Sequence, residues 1–234
     1  MARVVNEAEH ILRRNQILDV AQRMVYTMGY DRMSIQHLID ELKISKGAFY
    51  HYFDSKQQVL EALVERTMQE AIKHLTPITQ DPNQPALVKL KHFFDAIARW
   101  KTARKTYLMA LLKTWYDDKN ILVRQKMTAS GIKWFSGVLS EIIQQGAQEG
   151  VFDTPFPEQT SAVAISMMMN MGDAVGGLLL SLDPESDQAQ RSARLQEIKR
   201  TVVVYNHAIE RVLGAAPGSI LLFDPDLMDE WVNP

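Results

Sequence analysis

The stretch Ser34 to Phe53, SIQHLIDELKISKGAFYHYF, decides how this chain folds. Ser34 is a residue type that caps helix starts, because its hydroxyl accepts a bond from a free N–H of the first turn. Ile35, Leu38, Ile39 and Leu42 follow at helical spacing and give one apolar face. Lys43 and Ile44 leave room only for a very tight turn, and Ser45 caps a second helix that is expected to reach Phe53. Two short helices joined this way make a helix-turn-helix, in which the first braces the second as it enters a DNA major groove. The second helix is two-sided. Ala48, Phe49 and Phe53 can pack inward, whereas Lys46, Gly47, Tyr50 and His51 point elsewhere and Tyr52 flanks them. Lysine, tyrosine and histidine side chains suit phosphate and base-edge contacts. Gly47 and Ala48 leave space for close approach to a duplex, the helix start opened by Ser45 presents free N–H groups, and Lys56 can reach the next phosphates. Spacing alone leaves a second reading open, in which the aromatic run is ordinary core.

Working outward, the apolar spacing stays helical nearly everywhere. A first helix is expected from about Glu9 to Met28, with Ile17, Ala21, Val25 and Met28 inside, ended by Gly29. Asp54-Ser55 interrupts the pattern, and Ser55 caps a long fourth helix with Val59, Leu63, Val64, Met68, Ile72 and Leu75 on its inner face. Pro77, Pro82 and Pro85 punctuate a connection. Further helical patterns cover residues 86–102, 103–117, 121–149, 157–182 and 186–214, with the linkers EGVFDTPFP and LDPES between the last three. Residues 215–234 read as an irregular tail with Phe223, Leu227 and Trp231 as anchors.

Of the 234 residues, 46% are hydrophobic and 23% charged, the balance of a soluble globular protein. The absence of cysteine excludes disulfides, thiolate metal sites and cysteine nucleophiles. The net charge of −2 gives no hint of nucleic acid, and eight basic against seven acidic residues in positions 1–60 favour it only slightly. No apolar run precedes a small-residue cleavage site at the N-terminus, so a cytoplasmic location is expected rather than secretion. The long apolar stretch Ala162–Leu182 carries Asn170 and Asp173 near its middle. An aspartate at the centre of a membrane helix costs roughly 2.5–3.5 kcal/mol, so a buried helix is expected and no membrane span. No HExxH, GxSxG, GxGxxG or P-loop pattern occurs, and no two of the six histidines stand four apart. The chain therefore reads as a non-enzyme with no metal site and no cofactor.

The segment SIQHLIDELKISKGAFYHYFDSKQQVLEAL resembles the DNA-binding region of the tetracycline-repressor (TetR/AcrR) family of transcriptional regulators. The resemblance is carried by Gly29-Tyr30, Ser34, Ile44-Ser45-Lys46-Gly47, the run Phe49-Tyr50-His51-Tyr52-Phe53, and Ser55-Lys56, and it covers roughly the first 65 residues. It implies an all-α protein: a three-helix helix-turn-helix domain (1–56), joined by a long fourth helix to a helical effector-binding and dimerisation bundle (57–214), then the tail (215–234). It implies that Ser34 and Gln36 contact DNA at the start of the second helix. Lys46, Gly47 and Ala48 would face bases or near phosphates, and Tyr50, His51, Tyr52 and Lys56 would grip the backbone. Two positions depart from the family pattern. Lys43 stands where glycine is frequent, and a positive φ there would strain it. Ile39 stands where a small residue is usual.

A single such head buries little, so a homodimer on a paired double-stranded DNA operator is expected. Leu195, Ile198, Val202, Tyr205, Ile209 and Val212 recur at intervals of three and four, a seam for helix pairing. Packing against the 157–182 helix within one chain explains the same spacing, and the family resemblance favours the dimer. Three glycines, Gly172, Gly176 and Gly177, fall on that helix and suit either close backbone approach or bending. Met167, Asn170, Met171 and Asp173 on the same helix, with the aromatics Trp100, Tyr107 and Trp115, are the candidate contacts of a small-molecule effector that the resemblance implies. Repression of a promoter, relieved by that effector, is the family's usual mode. The alternative is a helical ligand-binding or protein-interaction module that does not touch DNA.

Overall fold

A computed structural model of the chain describes residues 7–79, 81, 83–182 and 185–232. All regular structure among them is helical: α1 Glu7–Met28, α2 Ile35–Leu42, α3 Lys46–Tyr50, α4 Lys56–Thr79, α5 Ala86–Thr102, α6 Lys105–Trp115, α7 Ile121–Gln148, α8 Pro157–Leu180, α9 Gln188–Val212 and α10 Asp229–Val232. Short 3₁₀ turns lie at Asp118–Asn120 and Pro225–Met228. The chain divides into two compact units. One holds Met1–Met68 and Thr106–Met127, the other Gln69–Lys105 and Thr128–Pro234.

In the first unit, Ile17, Leu18, Ala21 and Val25 of α1 meet Leu38 and Ile39 of α2, Phe49 and Phe53, and Val59, Leu60 and Leu63 of α4. Tyr107, Leu111, Val123 and Met127 complete this core. Gly29 takes φ +80°, as expected of a residue closing α1, and Met28 before it is exposed rather than inside. Ser55 caps α4 by accepting from Gln58 N–H at 3.1 Å. Arg66 ties α4 back to α1 through Asp19 at 2.6 Å, the Leu18 carbonyl and the Gln22 side chain.

In the second unit, Leu90, Phe93 and Phe94 of α5 pack with Leu139, Ile142 and Ile143 of α7, Ala164 and Ile165 of α8, and Ile209 and Leu213 of α9. Pro85 offers α5 no side-chain cap, and Glu149 supplies one by accepting from Ala86 N–H at 2.9 Å.

Four sequence expectations need correction here. The second helix of the helix-turn-helix ends at Tyr50, not Phe53, and continues only as turns bonded to the Gly47 and Phe49 carbonyls. Pro77 does not end α4 but lies in its last turn, whereas Pro82, like Asp183 and Pro184 of the second linker, lies outside the described residues. Helix α8 is not buried: its most apolar window, of mean hydropathy 1.5, is only 28% buried. The tail is irregular only as far as 224: Pro225–Met228 and Asp229–Val232 are short helical turns, and the whole segment is held in place. Asn206 of α9 holds the backbone of Phe223 from both sides, donating to its carbonyl at 2.7 Å and accepting from its N–H at 3.1 Å. Lys199 bridges Asp226 and Asp229 at 2.7 and 2.6 Å, and the Trp231 indole donates to Thr102 at 3.3 Å.

Candidate nucleic-acid interface

Local chemistry builds α2 and α3 as read. The Ser34 hydroxyl accepts from His37 N–H at 3.1 Å, and His37 Nδ1 accepts in return from Ser34 N–H at 3.3 Å, a reciprocal cap. Lys43 closes α2 at φ 53°, ψ 41°, the one positive-φ residue other than glycine among those described. Its N–H reaches the Asp40 carbonyl and Ile44 N–H reaches that of Ile39, which reverses the chain within two residues. The Ser45 hydroxyl accepts from Ala48 N–H at 3.1 Å and starts α3. Phe49 and Phe53 are then driven fully inside, at 0 and 2% exposure. This anchor fixes which way α3 turns. Lys46, Gly47, Tyr50 and His51 face outward, with Ala48 and Tyr52 half-buried. The Lys46 ammonium lies 6.0 Å from the Tyr50 ring centre, so charge and aromatic face occupy one patch. A methyl group added at Gly47 would meet only the Ser45 hydroxyl, at 4.0 Å. The bare backbone there is therefore not required by packing within the chain.

Other expected contact residues are already engaged. Gln36 donates to Asp40 at 2.7 Å, and the hydroxyls of Ser34 and Ser45 serve as caps. Lys56 departs most from the expectation of a free phosphate-gripping lysine. Its ammonium sits 4.2 Å from the Tyr30 ring centre and donates to the Asp31 carbonyl at 3.2 Å, while Tyr30 donates to the Lys56 carbonyl at 3.1 Å. Desolvation lowers its pKa, with the Asp31 charge opposing, and burial likewise pushes the Tyr30 hydroxyl up to about 12. Lys56 thus fastens the start of α4 to the loop after α1. Ile39 is accommodated in the core at 7% exposure. The sequence reading missed two residues of α1: Arg14, whose guanidinium lies 5.1 Å over the Phe53 ring, and His10, which packs on His51 and Tyr52. Neither belongs to a local pattern, since partner and residue are some forty positions apart.

In the second unit the expected dimer seam splits. Ile198, Val202 and Ile209 are buried within one chain, at 2% exposure or less, where α9 packs along α8 and under the tail. They are core residues of the single chain. Leu195, Tyr205 and Val212 are half-buried. What α9 turns outward instead is Val203 and Val204, 40 and 58% exposed; on α8, Val163 is 49% exposed. An open groove of about 520 Å³ is lined by Ala162, Val163, Ser166, Met167 and Asn170 of α8 and by Tyr205 of α9. Gly172 and Gly177 have no neighbour within 4 Å of an added Cβ, so no close approach within the chain explains them.

The candidate effector residues do not gather in one unit. Tyr107 and Trp115 belong to the first, and Trp100, Met167, Asn170, Met171 and Asp173 to the second. Asn170 and Asp173 are exposed, not polar groups stranded in apolar packing, and Asn170 accepts from the Tyr205 hydroxyl. Trp100 keeps a buried indole N–H with no partner among the described residues, and the Arg104 guanidinium lies 4.6 Å from its ring centre. Among the described residues no group of three or more histidines and carboxylates could hold a metal ion.

Comparison with known proteins bears on the first unit most directly. Residues 17–63 match the family model of bacterial regulatory proteins, tetR family. An uncharacterised HTH-type transcriptional regulator in the lacX 3′ region of Lactococcus lactis subsp. lactis is 31% identical over 94 residues, which are 40% of this chain and 48% of that one. The chain thus matches about half the length of that relative. The HTH-type regulator YfiR of Bacillus subtilis (strain 168) is 20% identical over 178 residues, 74% of this chain and 82% of its own. A crystal structure of a TetR/AcrR-family transcriptional regulator from Thermobifida fusca shares the fold at a TM-score of 0.55 and 20% identity, covering 83% of this chain and 97% of that one. By these findings, residues 17–63 form a helix-turn-helix domain similar to that of the tetR family of bacterial regulatory proteins.

Proposed function

We propose that the protein is a cytoplasmic, homodimeric transcriptional regulator. It acts as a repressor that occupies a palindromic operator on double-stranded DNA and is released by a small-molecule effector. One observation carries the DNA-binding part: α3 is anchored by Phe49 and Phe53 so that Lys46, Gly47, Tyr50 and His51 form one open face. A groove-entering helix needs this division, with apolar residues behind and donors in front. Dimerisation is supported by the uncovered apolar residues of α8 and α9. Val163, Val203 and Val204 are exposed, and the open space at Gly172 and Gly177 of α8 lets a second copy's helix approach closely; this set replaces Ile198, Val202 and Ile209 in the interface. For the effector, Trp100 with its unpartnered indole N–H is the most favourable of the seven candidates, since a buried donor costs about 1–3 kcal/mol until it is satisfied.

Gly47→Ala and Tyr50→Ala test the DNA-binding reading together. Gly47→Ala fills space that the chain itself leaves empty, so thermal unfolding stays at the wild-type value or rises, while affinity for a selected operator duplex falls about tenfold or more. Tyr50, 41% exposed, is expected to behave alike. Wild-type affinity in both variants, measured by fluorescence anisotropy, would favour the ligand-binding or protein-interaction module that leaves DNA untouched.

A further inference from the structure

We infer that His10 of α1 is a positioning residue of the DNA-binding surface, holding His51 and Tyr52 in place against the phosphate backbone. This rests on the DNA-binding reading above. Regular structure in α3 ends at Tyr50, so His51 and Tyr52 lie past the helix and their side chains need support from elsewhere. His10 supplies it. Its ring centre is 4.8 Å from that of Tyr52 at a tilt of 39°, and 5.5 Å from that of His51 edge-on at 79°. His51 and Tyr52 meet each other at 5.1 Å and 80°. Three rings thus touch pairwise in the offset and edge-to-face geometries that aromatic groups prefer. One turn further along α1, Arg14 covers the Phe53 ring, so the early turns of α1 lie along the whole segment from His51 to Phe53.

The arrangement has a functional rather than a merely structural reading. His10 is only half-buried and His51 is exposed, so the cluster lies at the rim of the core formed by Phe49 and Phe53. The two side chains it steadies adjoin the outward face of α3. A phosphate-binding tyrosine or histidine is effective only when its orientation is settled before the duplex arrives, because ordering it on binding subtracts from affinity. Removing the His10 ring therefore frees His51 and Tyr52 while the core beneath stays whole.

The test uses the full chain and mixed-sequence duplex DNA at low salt, where phosphate contacts supply the binding and no operator need be known. His10→Ala is expected to bind about fivefold more weakly, with a slope of log affinity against log salt near the wild-type value because no lysine or arginine contact is lost, and to unfold at the wild-type temperature. His10→Phe keeps the ring and is expected to restore the affinity. The inference is overturned if His10→Ala binds as the wild type does, or if His10→Phe is as weak as His10→Ala. A wild-type protein that shows no salt-dependent association would instead sink the DNA-binding reading itself.

Discussion

Helices α3 and α9 pose the same question to a reader of sequence and answer it differently. Both carry apolar residues at helical spacing beside charged ones. In α3 the apolar set, Phe49 with Phe53 just beyond, is the inner face and the polar set is free. In α9 the apolar set Ile198, Val202 and Ile209 is also inner, yet the apolar residues left exposed are the less regular pair Val203 and Val204. Periodicity identifies a face that will be covered. It does not say whether the cover comes from the same chain or from another.

Paired substitutions on α9 break this comparison most forcefully. Val204→Glu places a charge on the proposed interface without disturbing the chain's own packing. The monomer's stability should change by no more than about 0.5 kcal/mol, while sedimentation shifts from dimer to monomer and operator affinity falls about 100-fold with loss of the second head. Ile198→Ala should do the opposite: it removes a fully buried side chain, costs about 2–5 kcal/mol in urea unfolding, and leaves the association of the folded protein intact. If Ile198→Ala dissociates a dimer that Val204→Glu leaves whole, the outward assignment of α9 is wrong.

The helix-turn-helix was legible because its determinants are local. Ser34 and Ser45 cap helices three residues long in reach, Gly29 closes α1, and the positive φ of Lys43 follows from the short connection between two capped helices. Helix α5 was legible to the residue from its apolar spacing after Pro85, although the acceptor of its first N–H, Glu149, is distant in sequence. The seam on α9, the set of effector residues and the engaged state of Lys56 were not, because each depends on residues distant in sequence. The tail illustrates this best. Lys199, Asn206 and Glu210 belong to no motif of the sequence, yet they bind the backbone and carboxylates of residues 218–229. No spacing rule announces a side chain that pairs with a main chain ten or more positions away.

The polar latch on α9 makes the second prediction. Glu210 is buried and accepts from Ile220 N–H at 3.2 Å. Its pKa is lowered chiefly by the Gly218 N–H, against desolvation, with the Ile220 and Ser219 amides adding to the effect. A carboxyl whose pKa is depressed on folding stabilises the folded state above its unfolded value, near 4.3, and that contribution disappears as pH falls through the folded value. Glu210→Gln should therefore cost about 1–3 kcal/mol at neutral pH and expose the Leu222–Phe223 bond to chymotrypsin. As unfolding is repeated toward pH 3, the gap from wild type should shrink, because the protonated glutamate becomes the neutral equivalent of glutamine. A gap that stays constant with pH would mean the charge does not hold the tail.

The smallest expected effect sharpens the other side of the comparison. Lys43 ends α2 in the left-handed region, which costs an L-residue roughly 1–2 kcal/mol through the crowding of its Cβ. Glycine removes that crowding but loses more freedom on folding, about 0.5–1 kcal/mol. The difference leaves Lys43→Gly more stable by about 0.5–1 kcal/mol, a rise of roughly 4–8 °C per kcal/mol in the melting of the first unit. Lys43 is exposed, so no packing is lost in the exchange. Lys43→Asn should fall between the two, since asparagine enters the left-handed region more readily than lysine. A melting temperature that drops with glycine would show that the turn is held by the lysine side chain rather than strained by it, and the local rule that made α2 and α3 readable would then fail at its tightest point.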